Sequence, residues 1–162
     1  MVREVADDEV AADLVFQRAT ARFMEGFLPL FEKSGGTEGF VTMQDDPEKE
    51  HDADSIVAAA LRHRQVGKNY MAKIPIIESG MKAMKTLIEK NIAICATECF
   101  SIAQVIAICD LYESTCEKIG NRPPFFVTHI TYALIFDILV VRAYWYVNAI
   151  LEHLFLLYLY LF

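Results

Sequence analysis

The chain has 162 residues, 54% of them hydrophobic and 23% charged, with a formal net charge of −7. That size and composition suit one domain with a buried core and exclude a disordered chain. The acidic balance argues against nucleic acid as a partner, because phosphate contact needs a basic surface.

Residues 8–28 predict an amphipathic helix, since Val10, Ala11, Leu14, Val15, Ala19, Phe23 and Phe27 recur at helical spacing. Asp7 or Asp8 can cap its start, and Pro29 is expected to bend or end it. Ser34-Gly35-Gly36 is a break, and residues 39–44 read as a strand closed by Asp45-Asp46-Pro47. Negative charge concentrates before residue 60, as in Asp7, Asp8, Glu9, Asp45, Asp46, Glu48 and Glu50, and reads as solvated surface rather than as a cation site. Asp52 or Asp54 then caps a helix reaching His63 or Gln65, with Ile56, Val57, Ala60 and Leu61 inward, and Gly67-Lys68-Asn69 forms a turn.

Residues 70–75 make a short apolar strand around one lysine, ended by Pro75, which cannot donate to a ladder. A helix follows over residues 80–90. Lys73 therefore lies near the carboxyl end of a strand, where α/β sheets carry their chemistry. Desolvation between Ala72 and Ile74 disfavours an ammonium ion and makes a neutral amine available as a nucleophile. The competing reading is a lysine that snorkels to a sheet edge.

Residues 91–97 read as a third strand. Ser101 caps a helix to Lys118 with Ala103, Val105, Ile106, Ala107 and Leu111 apolar. Residues 120–124 are a loop, and residues 125–130 a fourth strand. Alternating strands and helices are the pattern of parallel βα units, an α/β fold. Pattern alone leaves a barrel and an open doubly wound sheet both standing. No Gly-x-Gly-x-x-Gly loop follows a strand, which counts against a dinucleotide fold.

The four cysteines (Cys95, Cys99, Cys109, Cys116) form no Cys-x-x-Cys pair, and His51, His63, His129 and His153 are scattered, so free thiols in a reducing compartment are expected and a metal is not. The amino terminus has no basic-then-apolar signal pattern, which points to the cytoplasm. Residues 132–162 are nearly all apolar, broken by Asp137, Arg142, Asn148, Glu152 and His153. A membrane span needs about 20 apolar residues. Residues 143–162 reach that length only with Glu152 and His153, which are costly in lipid, so a buried helix ranks ahead of a membrane anchor.

Four blocks carry a family resemblance. They are the stretch from Gly39 through Gln44 to Asp45; Lys73-Ile74-Pro75 followed by Gly80; Ile92-Ala93-Ile94-Cys95-Ala96-Thr97 with Phe100-Ser101 and Gln104; and Phe126-Val127-Thr128. In this order and spacing they resemble the transaldolase family of class I aldolases, over residues from about 8 to about 130. The resemblance implies a partial (β/α)8 TIM barrel over residues 1–130. About four parallel strands with their helices would supply the barrel's middle, and residues 131–162 would form a hydrophobic helical tail foreign to the family. The chain is thus expected to be a fragment.

The resemblance also implies a function. Lys73 would hold a dihydroxyacetone unit from a sugar phosphate as a Schiff base and pass it to an acceptor aldehyde, without a cofactor, in the pentose phosphate pathway. Gln44 and Thr97 would hold a water that moves protons, and Thr128 and Cys95 would touch the substrate. Gln44 stands where many transaldolases carry Glu and is similar to the fructose 6-phosphate aldolase branch; Cys95 stands where many carry Asn. The family's acid/base aspartate has no matching residue here, so turnover is expected to be impaired. Ordinary strand filling is the competing reading of Gln44, Thr97 and Thr128. The alternatives are an aldolase-type lyase, a non-catalytic fragment, and a protein that associates with membrane through the tail. A homo-oligomer is compatible with each.

Overall fold

The structure is a computed structural model and describes residues 8–130; the expected helical tail at 132–162 lies outside the described residues. The elements are α1 (Asp8–Lys33), β1 (Val41–Met43), α2 (Ala53–His63), β2 (Tyr70–Pro75), α3 (Glu78–Glu89), β3 (Ile94–Cys99), α4 (Ile102–Ile119) and β4 (Phe125–His129), with a 3₁₀ turn at Pro47–Lys49. The strands are all parallel and lie in the order β1-β2-β3-β4. Parallel connections are right-handed, and each one here steps to the next strand in the same direction, so the connecting helices fall on one face. A doubly wound sheet reverses direction partway, and this one does not. Met24 of α1, Ile56 and Ala60 of α2, Met84, Leu87 and Ile88 of α3 and Ile108 of α4 accordingly share one core with Met43, Ala72, Ile74, Ile94 and Ala96. The architecture is four consecutive αβ units wound as in a (β/α)8 barrel, which decides between the two sheets that the sequence pattern left open.

In that winding the opposite face of the sheet is the concave, inner one. Phe126 of β4 pairs in register with Cys95, and its ring meets that of Phe40, just before β1, at 6.3 Å. A side chain of β4 thus approaches one that lies just ahead of β1 over this face. Among the described residues no helix is long and apolar enough to cross a membrane.

Local rules account for most boundaries. The Asp52 carboxylate caps α2 by accepting from the amides of Asp54 and Ser55. Ser101 and Gln104 close a capping box on α4. β3 begins at Ile94 rather than residue 91, because Asn91 and Ile92 still donate to the last carbonyls of α3, Ile88 at 2.9 Å and Leu87 at 3.0 Å.

α1 departs from expectation twice. It runs through Pro29 to Lys33, since one missing N–H removes a single bond of the ladder. Its last turn is held by Gly36 N–H donating to Phe31 O at 2.8 Å and by the Phe31 ring against Phe40, 5.1 Å between centroids. The inward face is also different: of the expected apolar set Ala11 alone is buried, joined by Thr20 and Met24, whereas Val10, Leu14, Val15, Ala19, Phe23 and Phe27 are exposed. Polar ties set that orientation. Asn69 Nδ2 donates to Met24 O at 3.0 Å and to Gly39 O at 2.9 Å. The Asp13 carboxylate meets His63 Nε2 at 2.8 Å and Arg62 Nε at 3.0 Å. In α4, similarly, Ala103, Ile106 and Ala107 are exposed, and the inward residues are Ile108, Thr115 and Cys116.

Two glycines of this region give opposite expectations. Gly39 has φ 77°, and a Cβ there would lie 2.6 Å from Phe31 N and 2.8 Å from Phe27 O. Gly39→Ala should lower the denaturation midpoint by an amount worth at least about 1–2 kcal/mol. Gly26 lies inside α1 with open space around it, so Gly26→Ala should raise stability by about 0.5–1 kcal/mol. Equal effects in urea titrations would contradict the packing of α1 on Gly39.

Asp13 gives a pH signature. Burial raises its pKa, but the hydrogen bond and charge of His63, with Arg62, outweigh this and hold the carboxyl below its ordinary 3.8. A depressed carboxyl stabilises the fold above its unfolded value and loses that effect as pH falls through the folded one. The stability advantage of the native chain over Asp13→Asn should therefore be full near neutrality and shrink below pH 3.8. An advantage that grows on acidification would contradict the assignment.

Candidate active site

The β1–β2–β3–β4 register gathers the predicted residues on the concave face. Lys73 pairs with Cys95 across β2 and β3, and Thr97, paired with Pro75, is the next residue of β3 on the same face. Thr42 pairs with Met71, so Gln44, two residues on, shares the face of Lys73. Thr128 follows Phe126 by the same alternation. β2 is flanked by a strand on each side, so Lys73 has no sheet edge to which it could snorkel. Half-buried, it donates from Nζ to Gln44 Oε1.

Three contacts fix the end of the lysine strand. A Cβ on Gly80 would lie 2.1 Å from Pro75 O, so only glycine lets the first turn of α3 close against β2. Ile76 N–H donates to Thr97 O at 2.9 Å, extending the ladder one step past Pro75. Gln104, whose Oε1 accepts from Phe100 and Ser101 amides, reaches from Nε2 to Ile76 O at 3.3 Å. The start of α4 thereby anchors the loop that follows Lys73.

The neighbours of Lys73 differ in character. Burial pushes the Cys95 thiol up, against the Thr128 hydroxyl and the charge of Lys73. Thr128 Oγ1 donates to Ala96 O at 3.3 Å. Thr97 is buried beside Lys73 but is not hydrogen-bonded directly to it or to Gln44. Just past Thr97 the β3–β4 register slips between Ala96 and Cys99, and Glu98 takes the left-handed conformation with φ 59°. Such a bulge bends the strand at the mouth of the concave face. A cleft of about 440 Å³ lies at the other end of the strands, lined by Phe31, Phe40, Lys68, Tyr70, Asn91 and Pro124 among others, and none of the five predicted residues touches it.

The acidic run near β1 is not uniformly solvated surface. Asp46 caps the 3₁₀ turn through Glu48 N–H at 3.0 Å, and Glu50 Oε1 accepts from Gln44 Nε2 at 2.8 Å. Sequence reading missed Glu50. The available signal was Asp46-Pro47, a cap followed by proline at the first helical position, which turns the chain back toward Gln44. Among the described residues no group of three or more His, Cys, Asp or Glu side chains could hold a metal ion.

Comparison with known proteins fits this geometry. The family described as "Transaldolase/Fructose-6-phosphate aldolase" matches residues 1–136. The chain is 36% identical over 87 residues to a transaldolase of Thiobacillus denitrificans, covering 52% of this chain and 24% of that protein. It is 38% identical over 77 residues to one from Neisseria meningitidis, covering 46% and 22%. It is 32% identical over 106 residues to "Transaldolase 1" of Streptomyces coelicolor, covering 62% and 26%. The chain thus spans about a quarter of the length of the curated relatives it matches.

Thiol labelling checks the burial of this face. Cys109 is exposed, while Cys95, Cys99 and Cys116 are buried. With a maleimide in native buffer, Cys109 should be modified first and Cys95 only slowly. Labelling of Cys95 as fast as Cys109 would contradict its placement.

Proposed function

Because the chain belongs to the transaldolase/fructose-6-phosphate aldolase family, we propose that Lys73 holds the three-carbon end of a ketose phosphate as an imine and transfers it to an aldehyde. The supporting observation is a lysine at the carboxyl end of a central strand, its amine directed at an amide oxygen on the concave face. The neutral amine adds to the ketone carbon to give a carbinolamine, and water leaves to give a protonated imine. That cation accepts the electron pair of the breaking carbon–carbon bond once the neighbouring hydroxyl gives up its proton. An aldehyde departs and an enamine remains on Lys73. Adding the enamine carbon to a second aldehyde, then hydrolysing the imine, completes transaldolase-type transfer. Protonation of that carbon instead releases a ketone, the aldolase outcome.

The amide of Gln44, in a position that carries Glu in many members, is the observation that favours the aldolase branch as a second reading. Thr97 is assigned to the water that protonates and deprotonates the carbinolamine, and Cys95 and Thr128 to the wall against the substrate. We read the protein as a cytoplasmic member of carbohydrate metabolism, in keeping with its buried free thiols.

Incubation with fructose 6-phosphate and borohydride should fix a sugar residue on Lys73, mapped by peptide mass, and Lys73→Met should abolish it. An adduct on another lysine, with Lys73 unmodified, would overturn the assignment. Turnover should be slow, because no residue of the chain matches the family's acid/base aspartate, and such help is worth about 10²–10⁴-fold. Transfer at the rate of a complete transaldolase would contradict that expectation.

A further inference from the structure

The amide of Gln44 has two ends of opposite chemistry and nearly the same shape, so its neighbours decide which end faces Lys73. Oε1 accepts from Lys73 Nζ, and Nε2 donates to Glu50 Oε1 at 2.8 Å. An ionised carboxylate can only accept. It therefore holds the NH₂ end and turns the oxygen toward the lysine.

Glu50 is itself held in place. Its backbone N–H donates to Pro47 O at 3.3 Å, and its backbone oxygen accepts from Ser79 Oγ, at the start of α3, at 2.5 Å. The half-buried carboxylate is thus anchored between the 3₁₀ turn and the helix that follows the lysine strand. Neither the proposed mechanism nor the family blocks give it a task.

We propose that Glu50 is a positioning residue that fixes the orientation of the Gln44 amide, so that the imine formed on Lys73 meets an acceptor. The inference rests on the reading of Lys73 as the imine-forming amine. When the carbinolamine loses water, the nitrogen keeps one N–H and gains a positive charge. An amide oxygen aimed at that N–H stabilises the cation; a flipped amide would oppose N–H with N–H. Glu50 never touches the substrate and acts only through Gln44.

The test uses the full chain with dihydroxyacetone and borohydride, reading the initial rate of adduct formation on Lys73 by mass spectrometry. Glu50→Ala should slow trapping about tenfold, the scale of one hydrogen bond to a charged group. The isosteric Glu50→Gln should fall between it and the native chain. Combining Glu50→Ala with Gln44→Glu should restore trapping, because a carboxylate has oxygen at both ends and needs no orienting. A purely structural role for Glu50 would not be rescued that way. Native-like trapping in Glu50→Ala, or a double variant as slow as Glu50→Ala, overturns the inference while leaving the imine intact. If the native chain forms no adduct on Lys73 at all, the functional reading fails and the inference falls with it.

Discussion

The structure depends on the parallel pairing that puts the lysine strand β2 between β1 and β3. A lysine on an edge strand can lead its amine into water along its own stem. On a central strand that sideways route is closed by the neighbouring strands, and the half-buried amine of Lys73 meets Gln44 Oε1 above the sheet. The register then supplies the neighbours: Gln44, just past β1, on one side and Cys95 from β3 on the other, with Thr128 beyond. Among the described residues the helices cover the opposite face, where Ala72, Ile74, Ile94 and Ala96 close the core. Up to the bulge in β3 the strands therefore serve both faces by alternation, with apolar residues toward the helices and Lys73, Cys95 and Thr97 toward the concave side.

Such a site is only as precise as the ends of its strands. β2 is terminated by a proline and held by a glycine that nothing larger can replace, since Gly80 faces Pro75 O across a gap too short for a Cβ. Gln104 then ties the following loop to the start of α4, doing the work of a helix cap and a loop anchor with one side chain. On the β1 side, the turn capped by Asp46 brings Glu50 back against Gln44. A displacement near 1 Å can cost about 10²-fold in rate, so contacts remote from Lys73 bear directly on its chemistry.

What was legible in the sequence follows from how local each signal is. The bounds of β2 could be read because residues 70–75 are apolar and end in proline. Asp52 and Ser101 announced their helices through capping that involves only neighbours in sequence. Alternation of strand and helix gave the α/β class, but the direction of winding is a long-range property, visible only in the order of the strands. Helical periodicity identified α1 but not its buried side, because the contacts that orient it come from Asn69, His63 and Arg62, far along the chain. The start of β3 was misplaced by a left-handed residue, Asn91, whose conformation no hydrophobic pattern records. At the site, Lys73 and Gln44 are legible from their strands, whereas Glu50 is hidden in an acidic run whose members look alike until the turn at Pro47 brings it against Gln44.

The most direct test of the whole account is a crystal structure of the chain after reduction with dihydroxyacetone. The account predicts continuous density from Nζ of Lys73 to the three-carbon unit on the concave face, with the secondary amine still within hydrogen-bond distance of Gln44 Oε1 and Cys95 and Thr128 alongside. Density on a different lysine, or a Lys73 side chain lying on the helix-covered face, would contradict it.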